Sequence, residues 1–223
     1  MSVLSDIRNL LRDGPPARSV DWRQRAIVSG YGGHVSIGAL SAPITGGGAG
    51  TVYDPEQPEG VLSASVNYTL VPLRITVQCQ VPLLAADADE SEILVAADRL
   101  AAWPGTGTRT DEPIYNMFTN GGPLAATGSQ VPGVVAASAF TGDTATPTLD
   151  MELDRSVITG DVQGTPASAL WTPLGLLYEP VVPPFIVGPA AIYIYFGGTV
   201  ATSGFAQCQF LCIPNRELSA LLR

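Results

Sequence analysis

Lysine is absent from this chain, and histidine occurs once, as His34. The first absence removes a Walker-type phosphate loop, a Schiff-base lysine and a lysine general base. The second removes any multi-histidine metal site. Cysteine is sparse: Cys79, Cys208 and Cys212 are an odd number in 223 residues. That is neither a disulfide framework nor a zinc ligand set, and small buried apolar residues are the expected role. Charge is scarce as well, at 14% of residues against about 25% in an average soluble domain.

Hydrophobic residues (46%), 24 glycines and 19 prolines fill the space that charge leaves. A membrane span would explain such a composition, and residues 180–215 carry no charge. That stretch holds Pro180, Pro183, Pro184, Pro189 and Gly197–Gly198, which break a spanning helix. The opening MSVLSDIRNLLRDG lacks the apolar core and cleavage site of a secretory signal. No membrane span is therefore expected. Two explanations stay open: a neutral Ser/Thr/Gly-rich surface, or faces buried against other copies or other proteins, since obligate interfaces are poor in charge. The second is preferred.

Three segments follow from the pattern: an N-terminal arm (1–25), a β-sandwich domain (26–213) and a C-terminal helical tail (214–223). In the arm, Val3, Leu4, Ile7, Leu10 and Leu11 fall on one helical face, and Gly14-Pro15-Pro16 ends the run. Such a short helix needs a surface to dock on. Arg8, Arg12, Arg18, Arg23 and Arg25, with Trp22 among them, face only three acids, so the arm is +2 and the remainder −11. From residue 26 onward, alternating strands and Gly/Pro turns dominate: VLSASVNYTL, LRITVQCQVPLL, TLDMELD, AIYIYFGG and FAQCQFLCI. One helix is expected over 87–102, from the acids at its start, the stripe Ile93, Leu94, Ala97, Leu100 and Ala101, and the stop at Pro104-Gly105. A last short helix, capped by Asn215, presents Leu218, Leu221 and Leu222. The fold class is all-β: an antiparallel β-sandwich, preferably a jelly roll, with an up-and-down barrel as the alternative.

Chemistry-bearing patterns are weak. Asp150, Glu152 and Asp154 alternate with Leu149, Met151 and Leu153, which puts three carboxylates on one strand face. They could hold a cation with help from a loop but lack calcium-loop spacing, so a solvated face is the preferred reading. His34 has no G-x-S-x-G serine to serve, and the cysteines sit inside strand patterns. No catalytic residue and no cofactor is expected, and a carboxylate-pair hydrolase is the weakest of the readings. Trp103, Tyr115, Phe118 and Trp171 lie near loops, where they either cover sheet edges or stack on sugar rings.

The short charged arm, the Gly/Pro-rich sandwich with long loops, the helix near 87–102 and the closing strand FAQCQFLCIP together resemble jelly-roll virion proteins of bacteriophages. These include single-jelly-roll capsid proteins and head-decoration proteins. The resemblance implies a non-enzymatic shell component that assembles as trimers or larger rings, with the arm reaching into a neighbour. The expected partners are copies of itself and other virion proteins, with weak nucleic-acid contact through the arm. The expected subunit contacts are Leu4, Ile7, Arg8, Leu10, Leu11, Arg12, Arg18, Trp22, Arg23 and Arg25, and at the other end Leu218, Leu221 and Leu222. A carbohydrate-binding sandwich is the alternative function.

Overall fold

A computed structural model describes residues 21–46, 53–82, 90–103, 107–118, 129–142, 145–159, 171–199 and 202–222. Within them the chain runs through α1 (Trp22–Val28), β1 (Gly32–Ile37), β2 (Ile44–Thr45), β3 (Gly60–Ala64), β4 (Tyr68–Pro82), β5 (Glu90–Asp98) and β6 (Thr108–Glu112). It continues through β7 (Tyr115–Asn116), β8 (Val134–Thr141), β9 (Met151–Thr159), β10 (Trp171–Tyr178), β11 (Ile186–Val187), β12 (Ala190–Gly198), β13 (Ser203–Pro214) and α2 (Asn215–Leu221). No described helix is long and apolar enough to cross a membrane.

Two antiparallel sheets form the expected β-sandwich. The first has the order β10-β4-β13-β1-β7, with β11 also on β4 and β2 on β13; the second is β6-β8-β3-β12-β5-β9. Neighbours in a sheet are mostly distant in sequence because the chain changes sheet at eight of the twelve connections between described strands, among them β3 to β4, β4 to β5, β9 to β10 and β12 to β13. The inner faces meet in one core, where Ile75, Val77, Cys208 and Phe210 of the first sheet face Ile93, Val95, Ile192 and Phe196 of the second. Gly33 of β1 stands opposite Phe210 of β13, and the Phe210 ring fills the place a side chain at Gly33 would take. A glycine inside a strand is thus the condition for seating a large ring in the core.

Both outer faces are covered in part by the chain itself. On the first sheet, Val71, Leu211 and Ile213 lie under Ala26 of α1 and Leu221 of α2. On the second, Val61, Leu94, Ala96, Tyr193 and Tyr195 lie under Tyr53, Trp103 and Leu149, which come from irregular segments. Some of the hydrophobic excess is therefore consumed within one chain, in three apolar layers.

The helix expected over 87–102 is not formed: residues 90–98 are the strand β5, paired to β12 on one side and β9 on the other. Ile93, Leu94 and Ala97 satisfy a helical stripe, but Ser91 to Asp98 is buried throughout. A central strand covered on both faces shows no alternation, and a short apolar run of this kind fits either period. Of the acids expected at the helix start, Asp87 and Asp89 lie outside the described residues, and Glu92 instead pairs with Arg155 at 2.9 Å. Asp98 Oδ1 accepts from the backbone N–H groups of Leu100 (2.8 Å) and Ala101 (3.1 Å), and its Oδ2 from that of Thr148 (3.2 Å). The C-terminal helix forms, but Pro214 occupies the cap position, and the Asn215 side chain instead accepts from Thr69 Oγ1 at 2.7 Å.

Candidate functional site

Of the expected contact residues, Leu4, Ile7, Arg8, Leu10, Leu11, Arg12 and Arg18 lie outside the described residues. Trp22, Arg23 and Arg25 belong to α1, where Asp21 caps the first turn by accepting from the Arg23 N–H at 3.3 Å. Ala26 of that helix is fully buried on the first sheet. Trp22 packs its ring 5.3 Å from that of Phe185, and Arg23 donates from Nη2 to the Val181 carbonyl at 2.6 Å. The stretch read as arm is therefore fastened to the body from Trp22 onward. At the other end, Leu218 and Leu221 pack on the same apolar half-face, while Leu222 remains half exposed.

The rest of the first sheet's outer face is open and almost uncharged. Register sets Tyr115, His34, Gln209 and Arg74 side by side in one row, and Ser36, Gln207, Thr76 and Leu177 in the next. Gln78 and Gln80 continue it toward a trough of about 420 Å³ walled by Leu40, Pro43 and Pro173 and floored by Gly204 and Phe205. Partial burial lowers the pKa of His34, so the imidazole is neutral at pH 7. Arg74 is the cation in these rows, held loosely by Glu179 at 3.9 Å. Such a face offers amide and hydroxyl hydrogen bonding without desolvating charge, which suits contact with another neutral surface.

The acidic row is broken by the backbone. Val95 stands opposite Asp154 and Ala96 opposite Glu152, so Leu153 is an extra, bulged residue of β9. Met151 and Leu153 do pack on the inner core, whereas Leu149 joins the outer cluster. The three carboxylates go separate ways: Asp150 pairs with Arg99 at 2.9 Å, Glu152 with Arg155 at 2.9 Å, and the charge of Asp154 adds to burial in raising the Tyr178 phenol. Arg155 also reaches Glu92 at 2.9 Å. Glu92 is 2% exposed, and burial holds its carboxyl above the ordinary range despite that partner. Among the described residues no group of three or more His, Cys, Asp or Glu side chains is placed to hold a metal ion.

The three cysteines are buried free thiols on β4 and β13, and burial pushes each up to about 12. The aromatic residues named as sugar platforms are not gathered. Trp103 is packed 4.9 Å from Phe140 and 5.6 Å from Tyr193, Tyr115 is exposed on β7, and Trp171 opens β10 on the far edge of the first sheet.

Sequence reasoning missed the most exposed apolar loop of the described chain. Val181 and Val182 are 88% and 83% exposed. The run Glu179-Pro-Val-Val-Pro-Pro carried the signal, because prolines on both sides keep two valines out of any strand. Comparisons with protein-family models, with curated proteins and with solved structures find no match to this chain.

Proposed function

We propose that this chain is a self-assembling structural component of a virus particle, a capsid or capsid-associated protein that acts by subunit packing. The observation that carries the reading is the strand order. Taken alone, β1-β13-β4-β10 and β3-β12-β5-β9 are two four-stranded sets whose order supports a jelly-roll reading, an arrangement used by capsid domains and by lectins. Fold alone assigns no function, so the surface has to choose between these uses. A sheet face with little charge, two prominent valines and a basic N-terminal segment on an acidic body favour contact between protein copies. Partners on this reading are further copies, as trimers or larger rings, and other virion proteins.

The test is light scattering after size exclusion, with negative-stain imaging of any large fraction. A trimer, ring or shell is expected, and a monomer of 23.2 kDa at high concentration overturns the reading. Replacing Leu10 by Asp should weaken assembly at least tenfold and leave the melting temperature unchanged.

A carbohydrate-binding sandwich is the second reading, favoured by one feature: the trough at Gln78 and Gln80 beside Phe205 has the size and mixed polarity of a small-ligand site. Micromolar binding of an oligosaccharide by the monomer would select it.

A further inference from the structure

We propose that the exposed loop 181–187 is the receptor for the N-terminal segment, residues 3–11, of a neighbouring copy. This rests on the shell reading and names the contact that reading leaves open. Val181, Val182, Phe185 and Val187 are all exposed, Phe185 at 38% and Val187 at 53%. Four large apolar side chains within seven residues make a patch of the kind that marks interaction sites. The patch is held in place rather than loose. Ile186 and Val187 pair with Leu70 and Thr69 of β4, the Val181 carbonyl accepts from Arg23, and the Phe185 ring rests on Trp22. A preorganised surface keeps the ordering cost of binding low.

Two observations identify the occupant. The first is where the chain outside the described residues ends: twenty residues join the body at Asp21, next to Trp22 and hence at the rim of the patch. The second is that these residues carry one apolar stripe, Val3, Leu4, Ile7, Leu10 and Leu11, and a helix this short needs a surface to dock on. The sequence between stripe and body contains Gly14-Pro15-Pro16, and consecutive prolines favour an extended spacer, which carries the stripe away from its own body and toward a neighbour. Exchange of identical terminal segments between copies is a low-cost route to closed assemblies.

The experiment uses full-length chains. One carries Leu10→Cys and another Val182→Cys; the native thiols are buried and do not compete. Oxidation of the mixture should give a covalent pair that neither variant gives alone. In parallel, V182D should assemble at least tenfold more weakly than wild type with an unchanged melting temperature, since the replaced side chain is exposed. A wild type that assembles while V182D assembles equally well overturns the docking and spares the shell reading. A wild type that stays monomeric overturns both. A chain with both cysteines that closes only on itself overturns docking between copies.

Discussion

The two outer faces of the sandwich are covered in different ways, and the difference decides where buried charge is needed. On the first sheet the cover is helical. Helical cover meets part of its backbone bonding within itself and leaves its ends to caps, so the layer between α1, α2 and the strands is aliphatic: Ala26, Val71, Leu211, Ile213 and Leu221. On the second sheet the cover is irregular chain, whose N–H groups have no ladder of their own. Carboxylates take their place. Asp98, 2% exposed, accepts three backbone N–H groups, and buried Glu59 accepts from the N–H of Phe196 at 2.7 Å. Tyr53, Trp103, Tyr193 and Tyr195 fill the space around them. An acid in this layer stitches a loop to a sheet, and removing it unravels the cover rather than opening a hole.

That contrast can be broken by substitution. Asp98→Ala should have the largest effect. It strips a charged acceptor from three N–H groups at roughly 1.5 kcal/mol each, so about 4.5 kcal/mol should be lost in chemical denaturation. A loss below about 1 kcal/mol would show that water replaces the carboxylate and that the stitching is not structural. Leu211→Ala, under the helices, should cost about 3 kcal/mol as a plain cavity, with α1 and α2 still helical by circular dichroism. Helix loss together with the cavity would mean that the helical cover depends on the sheet as strictly as the loops do.

The smallest effect concerns pH. Glu92 binds its proton more tightly in the folded protein than its ordinary value of 4.5 because it is buried, with Arg155 opposing. The folded state then holds more protons than the unfolded chain as pH rises from 4.5 toward the raised value, and stability falls over that window. Glu92→Gln removes this slope. The melting-temperature difference, wild type minus variant, should decline between pH 4.5 and 7, and a rise would mean that Arg155 outweighs burial.

Much of the sandwich was legible because its strands alternate. Ile75, Val77 and Cys79 against Arg74, Thr76 and Gln78 give the face and period of β4 directly, and FAQCQFLCI does the same for β13. The inner core is spelled out there. Strand β5 was not legible, because burial on both faces erases the period on which reading depends. The acidic row failed for a different reason: a one-residue bulge shifts which side of β9 each residue faces, and nothing in TLDMELD announces it. The candidate contact surface was half legible. The amphipathic N-terminal stripe stood out by composition, but its proposed receptor is a loop whose exposure follows from how β10, β11 and α1 meet. That meeting, through Arg23 and Val181, joins residues 158 positions apart.

The bulge in β9 has a bearing on how copies can join. Among the described residues, β9 and β10 are the last strands of their sheets on one flank of the sandwich. A flat, regular border strand invites another chain to zip onto it without limit. Here β9 is kinked at Leu153 and carries exposed Glu152 and Arg155, while β10 has Pro173, which has no N–H to offer. Both borders are guarded against fibre-like growth. On the proposed shell reading, contacts between copies would fall on faces, loops and termini, where geometry sets a finite number of neighbours.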